Sequence, residues 1–312
     1  MSQRSADEAA PGERSFEFSA MGSPCRIAVE DTPCEVAQHA VAAAIDEVRR
    51  IEAKYSRYRP DSIVSRINAA AGKGDLIEVD DETAGLLAFA SDLHAVSDGL
   101  FDPTTGVLRS VWDFSLACLP AQAEVQDVLG RVGWHRVVWQ RPRIALTLPG
   151  MELDFGGFGK EYAADRAAAV LEAAGIASGL VNLGGDLRVV GRRTGGRGWV
   201  LGIAHPRQPD AVFASIVLRA GGLATSGDYE RFFELDGRRY CHILDPRTGW
   251  PAQGWRSVSV AAPACLAAGA ISTVAMLKGS AALPFLREQA IDFLAVDSEG
   301  GVFHEGLGGG AS

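Results

Sequence analysis

Between Gly179 and Pro263 the chain sets one strand-like run after another, and this grouping constrains the fold more than any other feature. "GLVNLGGDLRVVG", "WVLGIAHP", "FASIVLRAG", "RFFELDG", "RRYCHILDP" and "WRSVSVAAP" follow each other across short turns. Runs of this kind, bounded by Gly, Pro and Asp, read as strands. Earlier strands are expected over Cys25–Glu30, in "HRVVWQ" and in "RIALTL", and a late hairpin across "FLAVDSEGGVFHEG". Helical spacing appears in separate blocks: Cys34 to about Ala53, Asp81 to Ser97, "KEYAADRAAAVLEAAG", "CLAAGAISTVAMLKG" ending at Gly279, and roughly Ser280 to Gln289. Grouped elements, in place of strict β-α-β alternation, predict an α+β fold with a mixed, largely antiparallel sheet and packed helices. We expect residues 1–14 to be a disordered N-terminal segment, 15–304 a single domain and 305–312 a flexible tail.

Composition narrows the partners. The 312 residues are 47% apolar and 22% charged, as in a globular protein with a full core. A formal net charge of −9 with scattered basic residues argues against nucleic acid, whose binders need clustered Lys and Arg. Five cysteines, an odd number without CxxC spacing, predict reduced thiols in place of a disulfide framework or a zinc site. The N-terminus has no apolar signal-like core, and no stretch approaches the uninterrupted apolar length of a membrane span. The expectation is a cytoplasmic chain with no transmembrane segment.

Four segments carry chemistry. In "LDFGGFGKEYAADRAAAVL" a strand end runs through Gly156, Gly157 and Gly159 into Lys160, where a helix begins. Glycines admit a ligand close to the backbone, and a helix N-terminus with a lysine suits an anion. The spacing fits neither a Walker A loop nor a dinucleotide fingerprint, and a tight turn with a surface lysine would look the same. "VNLGGDLRVVG" places Gly184-Gly185 before Asp186, which is hairpin chemistry as much as ligand chemistry. "ATSGDYERFF" brings Thr225, Ser226, Gly227 and Asp228 together, residues that serve phosphates or turns. "YCHILDPRTGWP" sets His242 three residues ahead of Asp245, and its Asp-Pro-x-Thr-Gly turn echoes "LFDPTTGVL" at Asp102. No Ser-His-Asp set and no HExxH spacing can be assembled, so the residues alone indicate an α+β protein suited to a phosphorylated ligand.

Taken in order, these segments resemble the ApbE family, the FAD:protein FMN transferases, from Met21 to about Gly279. "AMGSPCRIAV", "YSRYRPDSIVSRINA", "LFDPTTGVL", "LDFGGFGKEYAADRA", "LVNLGGD" and "TSGDYERFF…YCHILDPRTGWP" are similar to the family's ordered motifs. The resemblance implies an ApbE-like, T-fold-related architecture. It implies transfer of the FMN half of FAD to a Thr or Ser hydroxyl of an acceptor flavoprotein, with release of AMP. Carried over by position, Met21, Tyr58, Phe101 and Asp102 would contact the flavin or its chain. Lys160, Asp165, Thr225 and Asp228 would line the phosphate and adenosine end. His242 would be the catalytic base, and we infer that Asp245 orients it. Gly159, through its carbonyl, and Thr273 would help hold Mg²⁺.

This chain departs from the family pattern at two places. Gly269 stands where the family helix carries its metal-binding Asp, and Glu161 replaces the usual Gly after the lysine. Mg²⁺ favours at least one carboxylate beside phosphate oxygens and water. The missing acid leaves two other outcomes open, FAD binding without transfer and FAD hydrolysis to FMN and AMP.

Overall fold

The computed structural model describes residues 12–208 and 210–307. The chain enters as a hairpin, β1 (Glu13–Ala20) and β2 (Ser23–Glu30), whose tight turn sets Met21 and Gly22 at φ 53° and 72°. α1 (Cys34–Tyr55) buries Ala37, Ala40, Val41, Ala44, Val48 and Ile51, the three- and four-residue spacing that makes one helical face. α2 (Ile63–Ala69) starts where the Ser62 hydroxyl accepts the Ser65 N–H. β3 (Ile77–Glu78) precedes α3 (Asp81–Val96), whose cap, Asp80, accepts the Thr83 N–H. After α4 (Gln122–Leu129), β4 (Val137–Gln140) and β5 (Arg143–Leu146) complete a small sheet of order β3-β5-β4.

α5 (Gly159–Ala173) leads into the strand-rich half: β6 (Gly179–Leu183), β7 (Asp186–Val190), β8 (Trp199–Ala204), β9 (Val212–Leu218), β10 (Gly222–Gly227), β11 (Phe232–Leu235), β12 (Arg238–Cys241) and β13 (Trp255–Ala262). α6 (Cys265–Lys278), α7 (Ala282–Glu288), β14 (Asp292–Asp297) and β15 (Val302–Glu305) close the chain. The main sheet has the order β1-β2-β6-β7-β10-β13-β14-β15, and all its ladders are antiparallel.

Side chains alternate across this sheet and build two cores. Ile27, Val29, Val181, Ala224, Val258, Val260 and Phe293 face the layer of α1, α5 and α6. Their neighbours Ala28, Leu180, Leu223, Ala261 and Leu294 face the β8–β9 ribbon, where Trp199, Leu201, Ile203 and Ile216 cover them. A third cluster, around Trp112, Phe233 and Tyr240, fastens the β11–β12 hairpin. Cys265–Glu288 is apolar and long enough by composition to cross a membrane, yet α6 buries Cys265, Ala268, Ala270, Val274, Ala275 and Met276 in the core.

Expected helices and strands fall close to their observed positions, with instructive exceptions. β10 reads as turn chemistry in "GLATSG", but pairing with β7 and β13 on either side makes it a central strand. β1, α2 and α4 have short or polar patterns that neighbours complete. Glu13 and Arg14 lie in β1, against the expectation of disorder there; residues 1–11 lie outside the described residues. Leu307 is buried in the second core, so the expected tail is ordered at its start, and 308–312 lie outside the described residues. The five cysteines are free thiols, as expected.

Candidate active site

The glycine-rich corner before α5 is shaped by close approach. A Cβ added to Gly157 would stand 3.2 Å from the Phe101 ring, and one added to Gly156 would crowd the Asp154 carboxylate. The Phe155 carbonyl accepts the Gly159 N–H at 2.7 Å, turning the chain into the helix. The Met21 methyl reaches this corner, 3.8 Å from where a Gly159 Cβ would be. Lys160 then extends to the Asp186 carboxylate, 2.5 Å away. Asp186 is delivered by Gly184 and Gly185, both at positive φ (63° and 96°), the geometry of a type I′ turn. Burial works against the Lys160 ammonium, but Asp186 and Glu161 outweigh it and raise its pKa.

One helical residue further, Glu161 is buried and aimed at α6. Its Oε2 has no hydrogen-bond partner among the described residues. A Cβ built on Gly269 would lie 2.3 Å from Glu161 Oε1 and 2.6 Å from its Cγ. The glutamate therefore occupies the space a side chain at 269 would need. Burial, and then Asp186, push the Glu161 carboxyl well above the usual carboxylate range. Thr273 lies one turn beyond Gly269 on α6, and its hydroxyl is 3.0 Å from that of Ser226, which also meets Ser272 at 2.8 Å.

His242 is the first residue beyond β12 and not the last of a strand. Its N–H donates to the Arg231 carbonyl at 3.0 Å, while Nδ1 is buried without a partner among the described residues. Burial, with the charges of Arg231 and Lys160, pushes the imidazole down to about 4, so it is neutral at pH 7. The following turn is held by the Trp112 indole, which donates to the Gly249 carbonyl at 2.8 Å. The two Asp-Pro-x-Thr-Gly stretches make the same local turn: the Asp102 carbonyl accepts the Thr105 N–H, and the Asp245 carbonyl accepts that of Thr248.

Several expected site residues have other partners. Asp245 accepts from the backbone and guanidinium of Arg247 and does not bond His242, so the inferred orienting role is corrected to a turn anchor. Asp165 accepts the Cys265 and Leu266 N–H groups, both at 2.9 Å, and so caps α6. Asp102 is buried and accepts from Thr104 and from the Trp134 N–H, and so holds the Phe101 loop. Asp228 is clamped by both Arg207 nitrogens at 2.6 and 2.7 Å. Thr225 bonds Ser259 at 2.7 Å on the ribbon face of the sheet, so its neighbour Ser226 is the one that meets α6. Tyr58 is exposed, with the Arg57 guanidinium 5.0 Å from its ring centre. Period-two alternation from Ala224 was the signal that could have chosen Ser226 over Thr225.

An α+β frame carries a lysine at a helix start, a histidine neutral at pH 7 and a stripe of hydroxyls on α6 and β10. The chain belongs to the ApbE family, whose profile matches residues 21–295. Named "FAD:protein FMN transferase", a Rhodobacter capsulatus protein is 32% identical over 92% of this chain. The chain spans 56% of that relative's length. A Treponema pallidum protein of the same name is 33% identical, covering 83% of this chain and 77% of its own. The crystal structure of the ApbE protein from Thermotoga maritima superposes with a TM-score of 0.86 at 32% identity, covering 94% of this chain and 97% of that one. Pseudomonas stutzeri flavinyl transferase ApbE, in its apo form, gives 0.82 at 29% identity, with 94% and 95% covered.

Proposed function

We propose that the protein transfers the FMN half of FAD to a Thr or Ser hydroxyl of an acceptor flavoprotein and releases AMP. The observation that carries this reading is the family match over residues 21–295, which brings His242, a neutral imidazole at pH 7, into the same motif set as Lys160. The acceptor oxygen bonds to the FMN-side phosphorus as the bridging P–O bond breaks. AMP leaves with the bridging oxygen, and the acceptor proton passes to His242. Lys160, at the start of α5, offsets charge on the pyrophosphate. Among the described residues no group bonds His242 Nδ1, which leaves that nitrogen free for a reactant. This differs from a triad, where a carboxylate orients the histidine.

Mg²⁺ would be held by a sparse oxygen set: the Glu161 carboxylate, whose Oε2 has no partner among the described residues, with the Thr273 hydroxyl and the Gly159 carbonyl. When bound, the cation neutralises pyrophosphate charge as the leaving group departs.

The test is incubation with FAD, with and without Mg²⁺, plus an acceptor domain bearing a Thr or Ser target site. Acceptor mass, AMP and free FMN are measured together. Acceptor gaining FMN with equimolar AMP is the expected result. FMN and AMP without modified acceptor would make the protein a pyrophosphatase, and neither product would make it a flavin binder. His242→Ala should abolish transfer while leaving FAD binding within a few-fold.

A further inference from the structure

We propose that Glu161 and Gly269 are an exchanged pair: Glu161, from α5, supplies the carboxylate of a divalent-cation site on the surface of α6 that Gly269 leaves open. The geometry carries this. Glu161 is only 8% exposed, and its Oε2 has no partner among the described residues. A buried carboxylate oxygen without a partner is costly unless something charged or protic meets it. Its other oxygen lies 2.3 Å and its Cγ 2.6 Å from where a Gly269 Cβ would be, so any larger residue at 269 would force the glutamate out of this rotamer.

The neighbouring donors suit a hard cation. Thr273 is four residues past Gly269, so its hydroxyl lies one turn along the same face of α6. Ser226 and Ser272 hold that hydroxyl neighbourhood at 2.8 and 3.0 Å. Gly159 opens α5 two residues before Glu161. Among the described residues no three acids, histidines or cysteines converge, so a cation beside α6 would meet the Glu161 carboxylate and neutral oxygens. Mg²⁺ and Mn²⁺ accept such a set, because water and ligand phosphates fill the remaining positions.

Charge balance points the same way. Two buried acids, Glu161 and Asp186, share this corner, and Lys160 is engaged with Asp186. A cation at Glu161 supplies the second positive charge that lysine cannot. Gly269 therefore marks a carboxylate that has moved from one helix to its neighbour, not one that has been lost. The inference rests on the proposed function only for the identity of the phosphate ligand.

Mn²⁺ binding, followed by electron paramagnetic resonance, tests the pair without turnover, with FAD binding followed separately by flavin fluorescence. Glu161→Gln should weaken Mn²⁺ binding by about tenfold or more, the scale on which even outer partners of metal ligands act. Gly269→Asp alone should lower the melting temperature, because two acid side chains compete for one buried space. The double variant Glu161→Gly/Gly269→Asp should recover both Mn²⁺ binding and melting temperature relative to the worse single variant. Unchanged Mn²⁺ binding in Glu161→Gln overturns the proposal, as does a double variant no better than either single one. A wild-type chain that binds Mn²⁺ through Glu161 but ignores FAD upholds the exchange and refutes the flavin reading instead.

Discussion

Acidification should weaken the fold through His242, by an amount its surroundings set. Desolvated and repelled by the charges of Arg231 and Lys160, the half-buried imidazole is pushed from an ordinary 6.5 to about 4. In that window the unfolded chain binds a proton that the folded chain refuses, so stability rises with pH. Above 6.5 both states are neutral and the contribution is complete; the loss grows on descent and levels off below 4. At pH 5 the unfolded histidine is favoured by about 1.5 pH units of proton binding, or about 2 kcal/mol. Urea unfolding at pH 7.5 and pH 5.0, in wild type and His242→Asn, isolates this term. Other acids titrate in both proteins and cancel in the difference. Wild type should lose about 2 kcal/mol more than the variant. Equal losses would show that the fold does not depress the histidine, and the electrostatic account of its surroundings would fall.

Other consequences follow from single contacts. Lys160→Met leaves Asp186 buried without its partner, and should cost roughly 3 kcal/mol in urea unfolding; adding Asp186→Leu should recover part of that. Asp165→Ala removes the cap from α6 and should cost about 1 to 2 kcal/mol by the same measurement, with FAD affinity changed little. Ser226→Ala should reduce transfer more than Thr225→Val does, because Ser226 meets Thr273 and Thr225 faces the ribbon side. Equal effects in product assays would contradict that assignment of faces.

Much of the fold was legible because its signals are local. α1 carries its buried face in the spacing of Ala37, Val41, Ala44, Val48 and Ile51, and the Gly184-Gly185 pair announces the β6–β7 hairpin. β10 was not legible, since "GLATSG" has no apolar alternation strong enough to stand alone and becomes a strand through β7 and β13. The site divides similarly. Motif order is what singles out His242 and Lys160. Motif order could not tell which polar side chains the fold itself consumes. Asp165, Asp228 and Asp245 sit at motif positions, yet backbone N–H groups or arginines already hold their carboxylates.

Gly269 shows why such readings stop at single positions. On α6 alone, a glycine in place of an acid looks like loss of a ligand. On α5 alone, a glutamate after Lys160 looks like an added surface charge. Helix packing brings the two within one side chain's length, so the space left by one is the space filled by the other. The two departures are then a single change, because either one alone is unfavourable. Asp at 269 beside Glu161 would overpack and double the buried charge. Gly at both positions would leave a cavity lined by Thr273 and no carboxylate for a cation. A chain that keeps an acid at this corner by exchanging its source retains the charge that a pyrophosphate-bound cation requires, which is a reason to expect transfer in place of mere flavin binding.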